Sequence, residues 1–381
     1  MGRGILVMKT ILFDVDGVFL SESRCFDASA LTVYEVLTSE AYFNLPSSYA
    51  LDQLTDDDIV HIRHNIFQND AILHRLKSLG MNANWDMLFI VTALHVIELL
   101  KCVPAHKRES VVDQTRFNAQ TFKQLQNDVT GFDIDYTVPL RFLDTVPEGK
   151  SAVYKALEDY AQQQLDIEDT ALFSLKHAFW HLTQSMYQEW YLGHDLYTRV
   201  EQRPARTTFK QGYVYDEVVL RPVEELQTLL HDLKQAGYQL GIATGRPYTE
   251  TVVPLEAIGL LQYFDTQHVG TASDVLAAEA TYPEHKPLNK PNPFSYLVAF
   301  YGQHDDMHYI DYIQNQQQRL AQADVVIVGD SLADLLCAKA LGAQFIAPLT
   351  GLKGQHARSE MEQYEADIIV NHVSELRDIL L

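Results

Sequence analysis

Short apolar runs open and close this chain, and helical periodicity fills the stretch between them. Residues 9–13 lead into Asp14 as Thr10-Ile11-Leu12-Phe13, the pattern of a parallel strand covered on both faces. Tyr238 to Ala243, Asp324 to Val328, Gln344 to Ala347 and Asp367 to Val370 repeat that pattern, each followed by a helical pattern or a loop. Pro222 stands where a helix would begin; Val223, Leu226, Leu229, Leu230 and Leu233 follow at helical spacing, and Gly237 closes the segment. Strand–helix alternation of this kind predicts an α/β fold, a doubly wound parallel sheet with helices on both faces.

From about Ser21 to Gly212 the apolar strand runs disappear. Asp56 to Phe67, Ala71 to Leu79, Trp85 to Lys101, Ser151 to Leu165 and Thr170 to Leu192 carry apolar residues three and four apart, and Gly80 and Gly193 mark two ends. The last segment holds Phe173, Phe179, Trp180, Tyr187, Trp190 and Tyr191, read as the core of a helical domain. Gln202 to Gln211 is the expected linker back. The expected organisation is therefore a core from residues 1–20 and 213–381, with a helical domain of residues 21–212 inserted directly after the first strand.

Composition narrows the function classes. Apolar residues make up 47% of the 381 and charged residues 21%, the balance of a globular protein with a large core. A formal charge of −22 repels nucleic acid and anionic membranes, and it obliges any anionic substrate to find a local cation. Cys25, Cys102 and Cys337 are far apart, which argues against a disulfide framework or zinc knuckle and favours a reducing cytoplasm. The apolar stretch from Leu88 to Val103 is interrupted by His95, Glu98 and Lys101, too polar to span a bilayer. No nucleic-acid or membrane partner is expected, and oligomeric state is left open.

Four segments place reactive groups at expected strand ends, where open parallel sheets build their sites. The first is Asp14-Val15-Asp16-Gly17, two carboxylates with a glycine that permits the chain to turn. A calcium loop is excluded, because Phe19 and Cys25 stand where ligands would be needed. The second is Ala243-Thr244-Gly245-Arg246, a hydroxyl followed by backbone amides able to hold a phosphate oxygen. The third is Lys286-Pro287-Leu288-Asn289-Lys290-Pro291, in which Lys290 is preferred to Lys286 because the next residues open a helix at Phe294. The fourth is Gly329-Asp330-Ser331-Leu332-Ala333-Asp334; its two acids share a face and, with Asp14, make a hard oxygen cage suited to magnesium.

That order resembles the four signature motifs of the haloacid dehalogenase (HAD) superfamily, over residues 8–20 and about 213–381. The resemblance implies a Rossmann-like core with a cap inserted between the first and second motifs, here nearly half the chain. It implies a Mg2+-dependent phosphatase acting on a small phosphorylated metabolite. Asp14 would be the nucleophile and Asp16 the acid and base. Thr244, Gly245 and Lys290 would hold the phosphoryl group. Asp14, the Asp16 carbonyl, Asp330 and Asp334 would surround the metal, Asp334 directly or through water. Asp16 separates this chain from halide-displacing members, whose leaving group needs no proton. A phosphomutase of similar build and a non-catalytic interaction protein are the alternatives. Glu22, Arg24 and Arg246 are further candidates for substrate contact. His61, His64 and His74 read as ordinary surface or core histidines, and His304-Asp305-Asp306-Met307-His308 as a solvated loop.

Overall fold

A computed structural model describes residues 9–81, 83–304, 307–315, 320 and 325–381. The chain divides into two compact units, one of residues 1–22 and 214–381, the other of residues 23–213.

The first unit is built on six parallel strands: β1 (Thr10–Phe13), β2 (Gln239–Ala243), β3 (Val269–Gly270), β4 (Val325–Val328), β5 (Gln344–Pro348) and β6 (Ile368–Val370). Their order is β3-β2-β1-β4-β5-β6, so the winding reverses at β1. Alternate side chains feed opposite faces. Ile11 and Phe13 join Leu226, Leu229, Leu230 and Leu233 of the helix Val223–Gln235, whereas Leu12 joins Ala243, Leu297 and Ile327. Each of those leucines contributes about 1.5–3 kcal/mol by leaving water. The expected doubly wound sheet is therefore present. Asp324, at the expected start of β4, lies outside the described residues. Strand β3 was not anticipated; two residues are too short to leave an apolar run.

After β1 the chain coils tightly, with Phe19 and Leu20 N–H both donating to the Val15 carbonyl at 2.9 and 3.1 Å. Gly17 has φ 69°, a left-handed conformation that favours glycine. The outgoing segment then pairs antiparallel with the returning one. Leu20 bridges Val219, Ser21 N–H donates to the Val218 carbonyl at 2.8 Å, and Leu220 N–H donates to that of Phe19 at 3.0 Å.

The second unit is helical. Helix Asn84–Lys101 is buried nearly all round, as its apolar sequence demands, and packs against Ser23–Thr38, Lys150–Leu165 and Ala178–Glu201. Ser23–Thr38 was not among the expected helices. Gly193 does break its helix, at φ 76° and ψ 161°, but the helix resumes and runs on to Glu201. The break makes room: a Cβ on Gly193 would stand 2.3 Å from the Gln211 carbonyl oxygen. Gln202–Gln211 is accordingly no free linker. Lys210 is fully buried, 2.7 Å from Glu35 and 3.2 Å from Glu189, and Arg206 pairs with Glu189 at 2.6 Å. The aromatic stripe, Phe173 to Tyr191, is core. Among the described residues, no helix is long and apolar enough to cross a membrane.

Candidate active site

The registers of β1 bring three strand ends together. Phe13 stands opposite Ile242 of β2 and Val328 of β4, so Asp14 follows beside Ala243 and Gly329, at the point where the winding reverses. Asp14 N–H donates to the Val328 carbonyl at 2.9 Å, and its carboxylate accepts from Val15 N–H at 2.8 Å. The side chain is fixed from its own backbone outward.

Lys290 reaches this point from the loop before helix Phe294–Tyr301. Its ammonium is 3.2 Å from Asp14 Oδ1, 2.7 Å from Asp334 Oδ1, and donates to the Ala243 carbonyl at 2.9 Å. Lys286 is exposed. Burial works against the Lys290 charge, but Asp14 and Asp334 hold its pKa above the usual lysine range. Burial also pushes the Asp14 carboxyl up to about 7; Lys290 pulls it down, while Asp334 and Asp16 push it up.

Asp334 is fully buried at the third position of helix Leu332–Leu341. Its Oδ2 accepts from the Ser331 hydroxyl at 2.6 Å, completing a reciprocal cap; its Oδ1 accepts from Lys290 and from the Tyr296 hydroxyl at 2.9 Å. Burial raises the Asp334 pKa, but Lys290 and these donors carry it below the usual carboxylate value.

Asp330 follows β4 and lies against bare backbone. A Cβ on Gly17 would be 2.3 Å from its Cγ, and one on Gly351 would be 1.7 Å from its Oδ2. Two glycines from separate loops therefore admit this carboxylate. Thr350, beside Gly351, donates its hydroxyl to the Gly17 carbonyl at 2.5 Å and ties the loops together. Ligand oxygens of Asp14, Asp330 and Asp334 lie within 4.8 Å of one another. One ammonium against three carboxylates leaves an excess of negative charge, and an all-oxygen set of this kind fits a hard divalent cation.

Thr244 is buried, its N–H donating to the Gly270 carbonyl at 2.9 Å and its hydroxyl accepting from Arg246 N–H at 3.1 Å; Gly245 between them is exposed. Arg246 holds Asp16: Nε lies 3.0 Å from both carboxylate oxygens and Nη2 2.6 Å from Oδ1. Its Nη1 lies 2.5 Å from Glu217 Oε1. Glu22 is half-buried at the end of the first unit. Arg24 belongs to the second unit, where it pairs with Asp27 at 3.3 Å and lies over the Tyr213 ring. His61, His64 and His74 are exposed. His304 packs edge-on against His268, and its neighbours Asp305 and Asp306 lie outside the described residues.

Sequence reasoning did not find Tyr296, Glu217, Thr350 or Gly351. Ser331 carried a signal, since Ser-x-x-Asp before an apolar run is a capping box.

Acids and a lysine gathered at the reversal point of a parallel sheet define a class, and the comparisons agree on it. The chain belongs to the haloacid dehalogenase-like hydrolase family, which matches residues 132–348. It is of the phosphatase type. It is 24% identical to a phosphoglycolate phosphatase of Photobacterium profundum over 259 residues, 65% of this chain and 93% of that protein. It is 25% identical to the N-acetylmuramic acid 6-phosphate phosphatase of Pseudomonas aeruginosa over 181 residues, 47% of this chain and 67% of that one. An X-ray structure from the Northeast Structural Genomics Consortium shares 54% identity and a TM-score of 0.85, with 98% of each chain covered.

Proposed function

We infer that the protein is a Mg2+-dependent phosphomonoesterase that works through an aspartyl-phosphate on Asp14, with a small phosphorylated metabolite as substrate. The observation that carries this reading is the position of Lys290 between Asp14 and Asp334, two acids whose oxygens lie within 4.8 Å of one from Asp330. Burial favours the protonated form of Asp14; the Lys290 ammonium opposes it, and a cation held by the acids would favour the carboxylate further.

Asp14 Oδ attacks phosphorus in line, and the bond to the leaving oxygen breaks. Asp16 supplies the proton that oxygen needs. Water then attacks the aspartyl-phosphate and gives a proton to Asp16; the P–O bond to Asp14 breaks, and orthophosphate leaves. Lys290 and the Thr244 segment, including the Gly245 amide, hold the transferring oxygens. Asp14, the Asp16 carbonyl and Asp330 would hold Mg2+, which when bound neutralises charge on the phosphoryl oxygens. Asp334, whose oxygens both accept from protein donors, is better placed behind that shell, fixing Lys290. We read residues 23–213 as the cap and the cytoplasm as the site of action. The phosphatase relatives act on small phosphate esters by name, which favours a metabolite over a phosphoprotein.

The test is turnover of an aryl phosphate and of a panel of phosphorylated metabolites, with Mg2+ and with chelator. Phosphate release should require Mg2+ and vanish in Asp14→Asn. Metal-independent release, or release by Asp14→Asn at the wild-type rate, would defeat the reading.

A further inference from the structure

Arg246 is a cation in the middle of the site that the phosphoryl chemistry leaves without a task. It follows Thr244, the residue expected to hold phosphate, so contact with phosphate is its obvious role. The geometry gives it another. The side chain is 3% exposed, and three of its contacts go to Asp16: Nε to both oxygens at 3.0 Å and Nη2 to Oδ1 at 2.6 Å. Nη1 faces the other way, 2.5 Å from buried Glu217 and 3.4 Å from the Glu250 carbonyl. Its backbone is anchored as firmly. Its N–H donates to Thr244 Oγ1, and its carbonyl accepts from Ala272 N–H at 2.9 Å, so the residue spans the ends of β2 and β3. A planar guanidinium held at one side by Glu217 presents a fixed fork to Asp16 at the other.

Glu217 gives the arrangement its direction. It lies in the returning segment that pairs with residues 19–21, within three residues of Leu220 and the Val219 bridge. Asp16 lies at the start of the same coil. The guanidinium thus joins the outgoing limb, through Asp16, to the returning limb, through Glu217. Both oxygens of Asp16 accept hydrogen bonds in this arrangement, so the carboxylate is oriented as an acceptor. That is the state required to take a proton from the water that hydrolyses the aspartyl-phosphate.

We propose that Arg246, braced by Glu217, is the positioning residue for Asp16, setting the carboxylate for the hydrolytic half of the reaction rather than binding substrate phosphate. This rests on the phosphatase mechanism above and adds to it a residue pair and a step. In that step the water oxygen bonds to phosphorus, its proton passes to the oriented Asp16 oxygen, and the bond between phosphorus and the Asp14 oxygen breaks.

The two half-reactions separate by leaving group. An aryl phosphate with a good leaving group needs little proton donation in the first half, yet still needs Asp16 in the second. Arg246→Gln should therefore keep a rapid first release of about one equivalent of phenol, followed by a steady state slowed about 10²-fold, the scale on which small misplacements act. Alkyl phosphates, slow in both halves, should show no burst. Glu217→Gln should show the same pattern with a loss of a few-fold, and Arg246→Lys should recover part of the rate. In an Asp16→Asn background, Arg246→Gln should cost no more than about 2-fold further, since residues acting as one unit are not additive. A crystal structure of metal-free Arg246→Gln should show an intact fold with the Asp16 carboxylate displaced. Additive losses, or an undisplaced Asp16 with a raised KM and unchanged kcat, would overturn the proposal and return Arg246 to substrate binding. An inactive wild-type enzyme would overturn the phosphatase reading itself, and this inference with it.

Discussion

Lys290 and Asp334 meet 2.7 Å apart inside the first unit, and Asp334 spends its remaining hydrogen-bonding capacity on Tyr296 and Ser331. A carboxylate so committed positions a cation. Removing it leaves the buried ammonium with Asp14 and the Ala243 carbonyl, so Asp334→Ala should lower stability by about 3–5 kcal/mol. Ser331→Ala, which loses only the cap, should cost about 1 kcal/mol. Urea unfolding of the chelator-treated proteins separates the cases. Full stability with weakened metal binding would make Asp334 a ligand.

Lys290→Ala tests the other partner. If the ammonium faces the phosphoryl group, kcat/KM should fall about 10²–10³-fold, the usual cost of one preorganised charge at a transition state. Steady-state rates at saturating Mg2+ measure this. A loss confined to metal affinity would place the lysine's task elsewhere.

Two glycines make the room that the Asp330 carboxylate occupies. Gly351→Ala would put a methyl 1.7 Å from Oδ2, and the carboxylate must move. Mg2+ affinity by calorimetry should fall about 10–100-fold, as when a supporting group is lost. Unchanged affinity would show that Asp330 does not reach the metal.

Five of the six strands were legible because each is a short apolar run, and β4 shows how such a run delivers a reactive residue, as Ile327-Val328-Gly329-Asp330. Helix Asn84–Lys101 was legible because apolar side chains dominate it. Helix Ser23–Thr38 hid for the opposite reason. All of Cys25–Leu37 is buried, polar residues included, so no stripe remains. Glu35 is tolerated there because Trp190 donates to it at 2.7 Å and Lys210 pairs with it, partners over 150 residues away. Local periodicity cannot register such compensation. Arg246 was unreadable for a similar reason: its task is set by Asp16 and Glu217, one from each limb of a hairpin whose ends are far apart in sequence. Asp334 carried two signals at once, an acid four residues after Asp330 and the third position of a capping box, and only the geometry ranks them.

His95 supplies a pH-dependent contribution in the second unit. It is buried in Asn84–Lys101 with the edge of Tyr136 nearby, and its Nε2 has no hydrogen-bond partner among the described residues. Burial lowers its pKa from 6.5 to about 4, against a small opposing pull from Asp135. The unfolded chain therefore takes up the proton first as pH falls. Stability from the neutral ring is complete above the unfolded pKa and is lost between about pH 6.5 and 4, by up to about 3 kcal/mol. The urea midpoint of wild type should drop over this window more steeply than that of His95→Phe. Parallel pH curves would assign the acid sensitivity to other groups.

The returning chain of the second unit yields the last expectation. Lys210 is fully buried between Glu35 and Glu189, and its ammonium lies 4.9 Å from the Trp190 ring centroid. Lys210→Met keeps the bulk and removes the charge. Among the described residues Glu35 then retains Trp190 and Glu189 retains Arg206, and two buried carboxylates are left without the ammonium between them. Breaking a buried pair from one side costs about 3–5 kcal/mol. The triple replacement of Lys210, Glu35 and Glu189 by apolar residues of similar size should recover part of that loss, because the charge left without its carboxylate, Arg206, is partly exposed. Denaturant unfolding of both proteins decides it: if the single and triple variants are equally unstable, the cluster serves packing rather than charge balance.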